Sequence, residues 1–233
     1  MDSGVLRENE GKSRIKEVRG NRYERIPLKT KLITAQDDIA EVAVTYAGEY
    51  LQKSDILFIS EKAVACSQGR AIPMSEIKPR RLAVFLTKFV YKSPYGIGLG
   101  IPETMEMALR ECGTLRILFA AFCSAVGKLF KRRGWFYKVA GYKARSIDGP
   151  TPNTIPPYNT CVVLGPDKPD AVAKRVSEAV GAQCLIVDIN DIDGVILGAS
   201  DKKADRTLYR EILADNPLCQ DAQQTPMGII RRV

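Results

Sequence analysis

The chain has 233 residues, 45% of them hydrophobic and 27% charged, which is enough to build a folded core, and its net charge is +8. A basic balance favours anionic partners such as nucleotides, phosphorylated cofactors or nucleic acid. The sequence has no histidine, which excludes Ser-His-Asp and Cys-His catalysis, histidine-ligated zinc and a histidine general base. Chemistry must therefore rest on carboxylates, Lys, Tyr, Cys, amides or a metal.

Residues 1–21 are charged, lack aromatics and read as a mobile arm. ERIPLKTKLIT then reads as a strand and turn, and Asp37 and Asp38 open a helix over DDIAEVAVTYAGEYL, with acidic residues where the helix dipole favours them. SDILFISEKAVACSQGR reads as strand, turn and a second extended or helical piece. IKPRRLAVFLTKFVY places Leu82, Phe85, Leu86 and Phe89 at helical spacing.

The glycines of GIGLG (Gly96, Gly98, Gly100) precede Pro102 and a helix, but match neither the P-loop nor the dinucleotide fingerprint; a flexible loop is the plainer reading. Helix continues from Thr104 to about Phe130. In KLFKRRGWFYK, Lys128, Lys131, Arg132, Arg133 and Lys138 alternate with Phe130, Trp135, Phe136 and Tyr137. That pattern can stack bases and neutralise phosphates, but it also fits a solvated helix end followed by a strand with buried aromatics, and nucleic acid is not the expected partner.

TCVVLGP is a strand, and DKPDAVAKRVSEAVG is an amphipathic helix with Val172, Val176 and Val180 on one face and Gly181 at its end. The strand Cys184–Val187 follows, then VILGAS and a helix around TLYREILAD. Strands alternate with helices, so the expected fold is α/β (or α+β) with a mixed β-sheet and packed helices.

Two acidic stretches stand out. In ARSIDGPTPN, Asp148 closes a short strand before a Gly-Pro turn; in CLIVDINDIDG, an apolar strand ends in Asp188, Asn190, Asp191 and Asp193. Hard cations such as Mg²⁺ and Mn²⁺ take such oxygen ligands while leaving positions for water and phosphate. Asp, Asn, Gly and Pro are also turn formers, and either stretch alone reads as a turn.

The six cysteines (66, 112, 123, 161, 184 and 219) include no CxxC pair and read as free thiols of a reducing compartment. The start is polar rather than signal-like, and the longest apolar stretch, Ile117–Gly127, falls short of the ~20 residues a membrane span needs. The expectation is a cytoplasmic protein with no membrane partner.

QGR after a strand (Gln68, Gly69, Arg70), SIDGPTP, VVLGPDKPDAVAKRV, LIVDINDIDG and the closing QQTPMGIIRR occur in an order that resembles the coenzyme F-420-0:gamma-glutamyl ligase family. The resemblance implies a ligase that uses GTP and Mg²⁺ or Mn²⁺ to add L-glutamate to a phosphorylated deazaflavin cofactor, with a mixed α/β fold and a homodimeric state. It implies one ligase-like domain over 22–233, with a helical insertion at about 80–140. Carried over residue by residue, it makes Asp148 and Asp188 metal ligands converging on one site, with Asn190 or Asp191 substituting for a polar residue replaced here by Ile189. It places nucleotide contacts around Leu28 to Lys31 (Lys29 and Lys31), at Ser60 and Lys62, and near Gln220, Gln223 and Gln224. No catalytic residue is assigned. Cys66 stands where the family has a Lys, and the stretch at about 192–215 is compressed. These departures keep open a relative that binds metal and nucleotide without ligation; a basic nucleic-acid-binding protein is the weaker alternative.

Overall fold

The computed structural model describes residues 6–90, 97–132, 134–152, 154–191, 194–220 and 223–233. Gly96, Asp193, Arg133 and the first residues of the charged lead lie outside that set. The chain forms two units, one of Met1–Gly69 with Pro166–Val233 and one of Arg70–Gly165.

The first unit is built on a six-stranded mixed sheet. Its strands are β1 (Ile15–Val18), β2 (Asn21–Leu28), β3 (Ile56–Ser60), β6 (Gln183–Ile189), β7 (Gly194–Ala199) and β8 (Met227–Arg232), and their order is β1-β2-β8-β3-β6-β7. Two further strands, β4 (Ala71–Pro73) and β5 (Cys161–Val163), belong to the second unit. Only the β3–β6 pair is parallel. Part of the charged lead is thus a strand. The turn between β1 and β2 is Arg19-Gly20, both with positive φ (51° and 73°), the geometry of a two-residue hairpin whose twist matches its strands. Arg19 is held there by Asp205 and Glu211, each at 2.9 Å.

The helices form where local signals favour them. Helix α1 (Ile39–Ala47) is capped by the Asp38 carboxylate, which accepts from the Ala40 amide at 2.7 Å. Helix α2 (Glu61–Ser67) starts directly at the end of β3, with the Ser60 hydroxyl accepting from the Ala63 amide. Helix α8 (Pro169–Val180) has Pro169 in its first turn and ends at Gly181, whose φ of 71° lets its amide reach the Ser177 carbonyl. Val172, Ala173 and Val176 of α8 join Ile39, Val42 and Ala43 of α1 over Leu57, Ile59, Cys184, Ile186, Met227 and Ile229 of the sheet. The other face carries Phe58, Leu185, Val187 and Ile230 under Ile212 of α9 (Arg206–Ile212). Gly198 in β7 is required by this packing, because a Cβ there would meet the Pro169 carbonyl at 2.4 Å.

The second unit pairs two short strands, β4 (Ala71–Pro73) and β5 (Cys161–Val163). Around them lie α3 (Arg81–Thr87), α4 (Pro102–Cys112), α5 (Thr114–Leu129), α6 (Trp135–Ala140) and α7 (Tyr142–Arg145). The helices expected over 80–140 fall here, broken at Gly113, whose φ is 86°. Two expectations change. WFYKVA is helix α6 rather than a strand, and of Leu82, Phe85, Leu86 and Phe89 only Leu86 is buried, while Phe85 and Phe89 face solvent. Glu106 of α4 is buried but paired, accepting from the Arg80 amide and from the Arg80 and Arg110 side chains.

Among the described residues no single helix is long and apolar enough to cross a membrane.

Candidate ligand site at the carboxyl ends of the strands

Four neighbouring strands bring most of the sequence-predicted residues to one end of the sheet. Leu28, the last residue of β2, pairs with Met227, the first of β8. Met227 pairs in turn with Ile59, one residue before the end of β3. Ser60 pairs with Val187, so Ser60 and Asp188 end parallel neighbours side by side. Lys29 to Lys31 after β2, Gln223 and Gln224 before β8, Ser60 and Lys62 after β3, and Asp188 and Asn190 at the end of β6 therefore share this sheet end. In α/β sheets that is where ligands bind, because rigid strands hold the residues that follow them at a solvent-facing rim.

The roles of these residues divide. Gln224 has positive φ (58°), and its amide donates to the Thr30 carbonyl at 2.8 Å while its own carbonyl accepts from the Thr30 amide. It ties the loop before β8 to the loop after β2. The Ser60 hydroxyl is the cap of α2, and its amide donates to the Pro226 carbonyl at 2.8 Å. Lys31 is paired with Asp37 at 2.6 Å; this hydrogen bond raises the Lys31 pKa and lowers that of Asp37. Lys29 and Lys62 are exposed at the rim; Gln220 is exposed and Gln223 is half-buried.

Asp188 is half-buried and lies within β6, opposite Val195 of β7. Its neighbours Val187 and Ile189 both pack on the α9 face, so Asp188 falls on the face covered by α1 and α8. Ile189 has an apolar side chain in that packing and offers no ligand. Asn190 follows at the strand end. Asp191 behaves differently: it is 59% exposed and forms an ion pair with Lys12 at 2.9 Å. Lys12 also donates to the Asp215 carbonyl. No sequence pattern flags this partner, since it comes from the charged lead, 179 residues away.

Asp148 belongs to the second unit. Its amide and carbonyl form a single two-bond bridge with Val163, each bond 2.9 Å, rather than closing a strand. Its side chain is half-buried beside the fully buried Ile147. Among the described residues no group of three or more Cys, Asp or Glu side chains is gathered as a metal-binding set. The oxygen donors of Asp188 and Asn190 nevertheless suit a hard divalent ion, which commonly takes one or two carboxylates and completes its shell with phosphate and water.

The QGR segment has a mainly structural part. The Gln68 amide donates to the Asp167 carbonyl at 3.0 Å and accepts from the Asp167 amide at 2.8 Å. Arg70 holds the Gly165 carbonyl at 2.6 Å and Glu111 at 2.7 Å. Cys66, where the resemblance expects a Lys, is buried in α2.

Fold and site together define an α/β protein with an anion-compatible rim of lysines, amides and a carboxylate at the ends of its strands. The sequence profile of the F420-0:Gamma-glutamyl ligase family matches residues 27–197. The chain belongs to that family, and its class of chemistry is gamma-glutamyl ligation in coenzyme F420 biosynthesis. A search of curated proteins finds no match.

Proposed function

We propose that this chain is a GTP- and divalent-metal-dependent ligase that joins L-glutamate to a phosphorylated deazaflavin through an amide bond. The carrying observation is the convergence of Asp188, Asn190, Lys29, Lys62 and the Gln223–Gln224 loop on one sheet end. In the reaction the acceptor carboxylate takes a phosphoryl group from the nucleotide to give an acyl phosphate. The glutamate amine attacks the acyl carbon, phosphate leaves with the C–O electron pair, and the amine proton passes to solvent or phosphate. Lys29 and Lys62 offset phosphate charge, and Gln224 holds two rim loops in register so that the groups meet in a fixed orientation. Asp188 and Asn190 would hold Mg²⁺ or Mn²⁺, which supplies charge neutralisation to the phosphates. Asp148 is the second ligand candidate on the family resemblance alone. No step requires histidine, which agrees with the composition. The family resemblance also supports a homodimer and a cytoplasmic enzyme.

The test is thermal denaturation with GTP and Mn²⁺ or Mg²⁺. Saturating ligand at a hundredfold excess over its dissociation constant adds about 2.7 kcal/mol of stability. Asp188→Asn should remove most of that shift and Asp148→Asn should do the same if it serves the metal. Asp191→Asn, whose carboxylate is already held by Lys12, should retain it. Amide formation coupled to GTP hydrolysis then separates a ligase from a relative that only binds, the reading favoured by Cys66 and Ile189. A wild-type protein that shows no shift with any nucleotide–metal pair sinks the proposal.

A further inference from the structure

Helix α5 packs inside out. At about 100° per residue, Leu115, Leu118, Phe119, Phe122 and Leu129 fall on one stripe, and that stripe faces solvent, with Leu115 84% and Leu129 83% exposed. The buried side is carried by Ile117 and by two small residues, Ala120 and Gly127. A helix serving only its own core would put the large residues inward, and a contiguous exposed patch of this kind marks an interaction surface. Phe85 of α3 and Phe89 just beyond it form a second exposed apolar pair, edge to face with centroids 5.1 Å apart, and Lys128 near the end of α5 donates to the Phe89 carbonyl at 3.4 Å.

The segment that carries the patch has charge of one sign. From Cys112 to Ile147 the sequence has eight Lys or Arg and no Asp or Glu, and of these Lys143 is paired with Glu111 of α4 at 3.0 Å. Arg116 lies in the first turn of α5, and Lys128, Lys131 and Arg132, all exposed, follow its apolar stripe. A second copy seated on this face would set the exposed cations Arg116, Lys128, Lys131 and Arg132 against their like, which is unfavourable. A nucleic acid would satisfy the cations but leave the leucines in water. An anionic bilayer surface satisfies both, taking the apolar stripe into the acyl boundary and the cations among the phosphates.

We infer that the α5 face of the second unit docks on anionic phospholipid membranes. The helix lies in the interface rather than crossing it. Its 16 residues span about 24 Å at 1.5 Å each, short of the ~30 Å hydrocarbon core. Helix α4, which precedes it, turns away by 116° at Gly113. The earlier expectation of no membrane partner rested on spanning length, which says nothing of a helix that lies flat. Any homodimer of this chain then uses another face.

The experiment is co-sedimentation of the full chain with phosphatidylcholine vesicles, with and without about 30% phosphatidylglycerol. The wild type should partition at least about tenfold more strongly onto the anionic vesicles, less so in high salt. Phe119→Ser with Phe122→Ser, and separately Lys131→Glu with Arg132→Glu, should each lower partitioning about tenfold. All four side chains are exposed, and circular dichroism checks that the variants stay folded. The inference is overturned if the wild type stays in the supernatant with anionic vesicles. It is also overturned if both variants bind like the wild type, or if the Phe pair change converts a dimer to monomers without affecting vesicle binding.

Discussion

Arg25 offers the sharpest test of how the first unit is held together. It sits in β2 with its side chain 0% exposed and donates to the Ile212 carbonyl at 3.1 Å, to the Ser13 carbonyl and to the Asp215 carboxylate, while its Nε has no partner among the described residues. Burial pushes the Asp215 carboxyl up, but the Arg25 hydrogen bond and charge, with Lys16 at 3.5 Å, outweigh it and hold it below the usual range. Asp215→Asn leaves a buried guanidinium with carbonyl acceptors only. Breaking a buried pair this way costs roughly 3–5 kcal/mol. Asp215 is 34% exposed, so water screens part of the charge and the lower end, about 3 kcal/mol, applies. For a chain of this size that is a fall of about 6–12 °C in Tm. Arg25→Met should cost less, about 1 kcal/mol, since it removes the buried charge and leaves Asp215 able to turn to water and Lys16. The sign with pH follows from the lowered folded value. Asp215 contributes fully above the ordinary carboxylate range and loses its contribution as pH falls through its folded pKa, so the difference between wild type and Asp215→Asn should shrink on acidification. Urea denaturation of the three proteins across pH measures this. A loss below about 0.5 kcal/mol for Asp215→Asn, or a larger loss for Arg25→Met, would refute the reasoning.

Glu106 should show the same acid dependence in the second unit. Burial opposes its ionisation, yet the Arg80 amide and the Arg110 and Arg80 side chains lower its pKa, so Glu106→Gln should cost about 1–3 kcal/mol at neutral pH and flatten the acid limb of the stability profile in urea titrations. Gly198→Ala should lower stability by roughly 1–3 kcal/mol, because the new Cβ meets the rigid backbone at the start of α8 at 2.4 Å; calorimetry reads this directly, and an unchanged Tm would mean that β7 and α8 are not held that close in solution.

The helices were legible in the sequence where their signals are local. Asp38 before an apolar run, and Pro169 and Gly181 bracketing another, mark α1 and α8 within a few residues of their ends. The apolar run ending in Asp188 reads directly as β6, and the alternation of strands and helices gives the mixed α/β class. The order of short motifs carried the family, because order along the chain is a sequence property. WFYKVA shows the limit: its aromatics favour a strand, yet packing beside α5 makes it helix α6.

The sheet order was not legible. Placing β8 between β2 and β3 depends on pairings about 170 to 210 residues apart in sequence, a scale that loop-closure entropy hardly ranks from local preference. That pairing alone brings Lys29 and the Gln223–Gln224 loop to the strand ends where Asp188 lies. Tertiary structure likewise decided that Asp191 belongs to Lys12, that Arg25 is buried against Asp215, and that α5 turns its leucines and phenylalanines outward. By itself the sequence determined the composition, the exclusion of histidine chemistry, the local helix ends and the family, since each is written in contiguous residues or their order. Which side chains meet, and which apolar face stays in water, depended on contacts between distant segments, because those energies exist only once the chain has closed on itself.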